Sequence, residues 1–290
     1  MILYKKGDFM DGILIINKPK NMTSRDVVNI VSKKLNTRKV GHTGTLDPLA
    51  IGVLVIAVNK ALKLVDDITS LNKEYIAEVT LGIKTDTLDI TGNILEEKEE
   101  YINKEELIDA LNSFKGKYNM TVPIYSAVKV NGKKLYEYAR EGKKIELPVK
   151  EVYISDIELL DINNNKFTFK CNVSKGTYIR SLINDICNKL GVIGTMSNLT
   201  RTKQGKFNIE DSINIDDITE DNIVPMEEII DIPKIEVDEY LYNRIINGNK
   251  LENRYNSEKI AFTYQNKLIA IYITDPGDLK KVKPKHVLKN

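Results

Sequence analysis

Thiols and imidazoles are scarce in this chain of 290 residues, which holds two cysteines, Cys171 and Cys187, and two histidines. Two cysteines are too few for a disulfide framework or a zinc site, and they read as buried thiols in a reducing compartment. Long apolar runs are missing as well. None approaches the roughly 18 residues of a membrane-spanning helix, and no apolar stretch ahead of Asp11 has the form of a secretory leader. A cytoplasmic protein that does not enter a membrane is expected. A phosphate-cradling P-loop, a Gly-x-Gly-x-x-Gly dinucleotide loop and a His/Cys cluster are all absent, so the common nucleotide, redox and metal signatures drop out together. No internal repeat or low-complexity tract is present either.

What remains is a mixture typical of a globular protein, 42% hydrophobic and 29% charged, long enough for two domains. The net charge of +2 is small, but the charges are unevenly placed. Residues 1–64 carry eleven Lys/Arg against four acids, and residues 129–150 carry seven against three. Residues 210–240 hold twelve acids and one lysine, after which Lys280, Lys281, Lys283, Lys285 and Lys289 make the tail basic again. This pattern suits a basic surface for a polyanion with the acidic stretch held away from it. Ordinary solvated charge is the competing reading.

Periodicity gives the elements. Gly12–Asn17 reads as a strand closed by Lys18-Pro19, and Thr23 or Ser24 caps a helix with Val27, Val28, Ile30, Val31 and Leu35 on its apolar positions. The aliphatic run Val53–Val58 reads as a buried strand. A short helix near 61–68, an alternating strand at 75–81, a helix at 105–114 and a strand at 124–130 ending in the turn Asn131-Gly132 follow. Leu135–Arg140 forms a short basic, aromatic helix. Strands at 152–161 and 166–173 lead into a helix over about 178–190. The acidic zone 210–234, with Pro225 and Pro233, is the best boundary, giving domains 1–234 and 235–290. Beyond it come a helix at 236–247 and strands near 260–264, 268–274 and 282–287. Strands and helices without regular βαβ alternation argue for an α+β fold.

One loop stands out: Gly41-His42-Thr43-Gly44-Thr45-Leu46-Asp47-Pro48-Leu49-Ala50-Ile51-Gly52, directly ahead of the buried strand. Its glycines permit tight turns and close approach to a ligand, and Pro48 stiffens the chain after the carboxylate. An isolated Leu-Asp-Pro would read as a turn aspartate capping a backbone N–H. Twelve residues of mixed chemistry around Asp47 favour catalysis. A carboxylate with an ordinary pKa near 3.9 stays mostly ionised at pH 7 even after an upward shift of about 2 units.

The loop resembles the catalytic motif of the TruB family, the bacterial tRNA pseudouridine synthases, in which this aspartate is the essential residue. Ile51 stands where the family usually has threonine, a departure that bears on one local hydrogen bond. Ser174-Lys175-Gly176-Thr177-Tyr178-Ile179-Arg180 resembles a second motif of the family. By that resemblance Arg180 pairs with Asp47 through a bidentate fork, and Tyr178 lines the nucleotide pocket. Tyr75, in Lys73-Glu74-Tyr75-Ile76-Ala77, matches the tyrosine that stacks on the target uracil and is placed for proton transfer at C5. His42 matches a histidine that enters the RNA loop and helps extrude the base. Lys18 and Pro19 match a motif that supports the catalytic loop, Lys18 being counted with the substrate-binding residues, and Leu199 matches a pocket-wall leucine. These matches run from Asp11 to about Thr202.

The resemblance implies a mixed-sheet catalytic domain followed by a small β-rich, PUA-like RNA-binding domain. It implies that uridine 55 in the TΨC loop of tRNA is isomerised to pseudouridine, with the target base flipped out of its stack. The C1′–N1 bond breaks, uracil rotates, and C1′ joins C5, so no atom is gained or lost and no cofactor is needed. Whether the carboxylate attacks C1′, adds to uracil C6 or removes a 2′ proton stays open. The T arm of tRNA is the expected partner, bound by a monomer that requires no protein partner, with the basic segment 129–150 closing over it. A tRNA-binding chaperone with little or no catalysis is the alternative. A guide-RNA-dependent synthase subunit of the dyskerin type and a two-carboxylate glycosidase fit less well.

Overall fold

The computed structural model describes residues 11–255 and 257–288. Lys5, Lys6 and Asp8 of the basic N-terminal segment, and Lys289 of the tail, lie outside the described residues. In chain order the first half forms β1 (Gly12–Lys18), α1 (Ser24–Lys34), β2 (Val40–His42), β3 (Ile51–Val58), α2 (Val65–Ser70) and β4 (Lys73–Leu81). A small hairpin of β5 (Ile83–Thr85) and β6 (Ile94–Glu97) precedes α3 (Lys104–Asn112) and β7 (Gly116–Thr121). A second hairpin, β8 (Lys129–Val130) and β9 (Lys133–Lys134), leads into α4 (Leu135–Arg140). Next come β10 (Val149–Asn163), β11 (Lys166–Val173), α5 (Ile179–Leu190), β12 (Gly194–Gln204) and β13 (Phe207–Asn208). The chain then passes through β14 (Val224–Pro225) and α6 (Met226–Ile229) to β15 (Lys234–Glu236), α7 (Glu239–Ile246) and strands β16 (Leu251–Glu252), β17 (Lys259–Tyr264), β18 (Lys267–Asp275) and β19 (Asp278–Val287).

Ten strands make one mixed sheet, whose main path runs β14-β1-β3-β12-β4-β11-β10-β7. All neighbours are antiparallel except β3 and β12, which run parallel. The aliphatic run of β3 is central, and successive side chains of a strand point to opposite faces. Leu54, Ile56 and Val58 therefore join the core beneath α1 and α5, with Leu14 and Ile16 of β1. Val53, Val55 and Ala57 enter a second core on the other face, with Ile13 and Ile15 of β1. A strand buried on both faces has to be aliphatic throughout, which is why β3 shows no polar alternation.

The second core is closed by a separate five-stranded sheet, ordered β15-β17-β18-β19-β16, which contributes Ala261, Leu268 and Ile271, with Leu288 just past β19. The C-terminal sheet is thus seated on the back of the main one. The acidic segment ahead of it is tied to β1, where Ile213 bridges Ile16 and Ile13 pairs with Val224. Its apolar residues Ile218, Ile223, Met226 and Ile229 are buried, most of its carboxylates are exposed, and Glu227 accepts from the Leu268 N–H of the C-terminal sheet.

Thr23 rather than Ser24 caps α1, in a capping box with Asp26: the Asp26 N–H donates to Thr23 Oγ1 at 3.1 Å and the Thr23 N–H donates back to Asp26 at 2.9 Å. One expected strand is displaced. The pairing segment is Gly116–Thr121, and residues 122–128 run irregularly along the site. The Asn131-Gly132 turn is present, with φ of 51° and 81°, the two positive values a tight hairpin turn needs. Strand β12 is the main element the sequence did not announce.

Candidate active site

The Asp47 loop leaves β2 and returns into β3, crossing the end of the sheet where β3, β12 and β4 lie side by side. It is held from several sides. Ser24, the first residue of α1, donates from Oγ to the Leu46 carbonyl at 3.1 Å and accepts from the Leu46 N–H at 2.9 Å. The Asn21 N–H donates to the Pro48 carbonyl at 2.7 Å, and buried Gln204 donates through Nε2 to Thr43 Oγ1 at 2.8 Å. Gly52 ends the loop with φ of 99°, and a Cβ there would stand 2.3 Å from the Arg201 carbonyl oxygen. Only glycine allows β3 to meet β12 at that distance.

A cleft of about 480 Å³ opens beside the loop, lined by Gly44–Asp47, Tyr75, Tyr125–Ala127, Val173–Arg180, Leu199 and Arg201, among others. Asp47 is 36% exposed, whereas its partner Arg180 is 5% exposed. Arg180 Nε donates to Asp47 Oδ2 at 2.9 Å. The expected two-pronged fork is not formed. The terminal nitrogens donate instead to the Thr87 carbonyl at 2.9 Å and the Tyr125 carbonyl at 3.0 Å. The guanidinium therefore fixes one carboxylate oxygen and two backbone segments at once, leaving the other oxygen to the cleft.

Tyr75, on β4, is nearly buried and lines the cleft, as does Leu199 on β12, opposite Ala77 in register. Tyr178 is the residue just ahead of α5, and burial pushes its hydroxyl above the ordinary tyrosine value. Lys18 lies behind the loop rather than in the cleft. Its Nζ donates to the carbonyls of Met22 at 2.6 Å, Pro19 at 2.9 Å and Pro48 at 3.4 Å, and burial pulls its pKa down to about 8 against the opposing pull of Asp47. His42 ends β2, half-buried and outside the lining of the cleft. Burial, and then Arg25 and Arg201, hold its imidazole below the ordinary value, so it is neutral at pH 7. Its Nδ1 is buried with no protein partner among the described residues.

Two cations in the lining were not among the residues singled out. Lys73 donates to the carbonyls of Thr69 at 2.5 Å and Leu71 at 2.6 Å, and burial lowers its pKa to about 8. Arg201 is 1% exposed and sits behind Tyr75. Both follow from β12 and β4 being neighbours, which the polar sequence of β12 concealed. Among the described residues no group of His, Cys, Asp and Glu is arranged to hold a metal ion. No helix among them is long and apolar enough to cross a membrane.

The fold is that of the pseudouridine synthases. It matches a chain of a Cbf5–Nop10–Gar1 complex with a TM-score of 0.71, at 26% identity over 97% of this chain and 84% of that one. A chain of an H/ACA ribonucleoprotein bound to a substrate RNA matches with a TM-score of 0.73, at 24% identity over 97% and 86%. Residues 32–179 match the model of the TruB family pseudouridylate synthase, N-terminal domain. The tRNA pseudouridine synthase B of Clostridium tetani is 44% identical over 92% of this chain and 93% of its own length. That of Caldanaerobacter subterraneus subsp. tengcongensis is 41% identical over 96% and 99%. The chain belongs to the TruB family of pseudouridylate synthases.

Proposed function

We propose that this protein converts uridine 55 in the TΨC loop of tRNA into pseudouridine, with Asp47 as the catalytic carboxylate and without a cofactor. The observation that carries this reading is the Arg180–Asp47 ion pair at the mouth of a cleft walled by Tyr75, Tyr178 and Leu199. Substrate and product are isomers. The C1′–N1 bond breaks, the uracil keeps its bonding electrons and turns, C5 bonds to C1′, C5 gives up its proton and N1 takes one up. An ionised carboxylate can serve at C1′, at C6 or at the 2′ proton, and the one oxygen free of Arg180 is available for any of these. Tyr75 would stack on the freed uracil, worth about 1–3 kcal/mol per base, with its hydroxyl placed for proton transfer at C5. Leu199 and Tyr178 would keep water from the base while it is detached.

The target base has to leave its stack to reach this cleft. The basic segment 129–150, in which Lys134 and Arg140 pack on the ring of Tyr136, is the element proposed to close over the T arm. His42 is proposed to enter the vacated position in the loop. Division at residue 234 into a catalytic unit and a PUA-like RNA-binding unit belongs to the same reading, as does a monomer acting in the cytoplasm without a protein partner. Asp47→Asn is the direct test: turnover should vanish while tRNA affinity stays within a few-fold, and a variant that still turns over would remove Asp47 from its role. A chaperone that only binds tRNA would give tight binding with no pseudouridine from either protein.

A further inference from the structure

We infer that Arg201 is a positioning residue for this reaction, holding the Tyr75 hydroxyl and the Gly44 carbonyl so that the tyrosine and the Asp47 loop keep a fixed separation. This rests on the reading of Tyr75 given above. Arg201 lies opposite Tyr75 in the β12–β4 register, so the two side chains share one face of the sheet. Its Nη1 donates to the Tyr75 hydroxyl at 3.5 Å, its Nη2 to the Gly44 carbonyl at 3.1 Å, and its Nε to the Val53 carbonyl at 2.6 Å. One rigid planar group thus joins β3, β4 and the head of the catalytic loop. On its other edge, the main chain of Arg201 pairs with Gly52, where no side chain fits.

Two further features favour a task in the reaction over a purely structural one. Arg201 is almost fully buried, yet the acceptors of its guanidinium are neutral: two backbone carbonyls and the Tyr75 hydroxyl. A buried cation held only by neutral acceptors is a costly way to join strands that apolar packing could join. It also belongs to the wall of the cleft beside Tyr75. With Nη1 donating to the phenol oxygen, the tyrosine's own O–H is left to donate elsewhere than to the guanidinium.

The test measures kcat and tRNA affinity separately for Arg201→Gln, Arg201→Lys, Tyr75→Phe and the double variants, on an unmodified tRNA transcript. Arg201→Gln should lower kcat about 100-fold, the scale of a small misplacement of reacting groups, with affinity within a few-fold of wild type. Arg201→Lys should recover part of the rate. Arg201→Gln combined with Tyr75→Phe should lose less than the product of the two single losses, because both break the Arg201–Tyr75 contact. If Arg201→Gln does not fold, Arg201→Lys with and without Tyr75→Phe makes the same comparison. Rate losses that multiply, a wild-type rate in Arg201→Gln, or a fall confined to tRNA binding would each overturn the inference. So would a wild-type rate in Tyr75→Phe, which leaves the stacking role intact; a wild-type rate in Tyr75→Ala would remove that role itself.

Discussion

Arg180 meets three acceptors with three nitrogens, an arrangement that a lysine does not offer. An ammonium is a point charge that would reach Asp47 or the two carbonyls, not all three. Arg180→Lys should therefore keep the protein folded and lower kcat about 100-fold or more, read in single-turnover assays; an unchanged rate would mean that Asp47 does not need this anchor. Lys18 and Lys73 make a different prediction. Both have folded-state pKa values of about 8, below the ordinary lysine value of 10.5. Between these values the unfolded chain binds more protons than the folded one, so both contributions to stability rise with pH across about 8 to 10.5. Replacing either by methionine should flatten the rise in that window, measured as unfolding free energy against pH. At this scale the motif residues were legible because they are unusual in combination. Asp47, Tyr75, Tyr178, Arg180 and Leu199 all reach the cleft. Lys73 and Arg201 stayed hidden, since a buried cation satisfied by backbone carbonyls looks in sequence like any solvent-facing one.

Among the elements, β3 was the clearest in sequence and β12 the least, and the reason is the same. A strand buried on both faces by apolar cores is aliphatic throughout, and its run announces it. Strand β12, Gly194–Gln204, is equally central but buries Thr195, Ser197, Arg201 and Gln204, each hydrogen-bonded through its side chain. Two register shifts break its alternation further. The displaced strand at 116–121 has a related cause, because Tyr125–Ala127 of the segment after it line the cleft instead of pairing. Helices were easier: α1, α3 and α5 carry their apolar residues at helical spacing, and α1 its capping box. The junction of β3 with β12 gives a test of loop support. Gly52→Ala would place a Cβ against the Arg201 carbonyl in a left-handed backbone, and should cost about 2–4 kcal/mol, read by denaturant unfolding. A loss under about 0.5 kcal/mol would fall within the range of neutral surface substitutions and mean that the junction is not tightly fixed.

For the molecule as a whole, Asp67 on α2 receives His286 at 2.9 Å and Lys259 at 3.4 Å, with Lys285 closer still, all from the C-terminal sheet. The His286 hydrogen bond, joined by the two lysines, holds the Asp67 carboxyl well below the ordinary range against the opposing effect of burial. A depressed carboxylate stabilises above its unfolded value near 4 and loses that contribution as pH falls below it. Asp67→Asn should lower Tm by about 2–8 °C at pH 7, with the gap to wild type closing below about pH 4; a constant gap would mean that charge is not what holds the sheets together. The uneven charge distribution predicts that tRNA affinity falls steeply with salt, and a flat dependence would remove the electrostatic account of binding. The most direct test of the central claim is mapping of pseudouridine on an unmodified tRNA transcript incubated with the purified protein alone, beside Asp47→Asn. The account predicts pseudouridine at position 55 with the wild type and none with the variant. Tight binding with no pseudouridine from either, or modification by both, would contradict it.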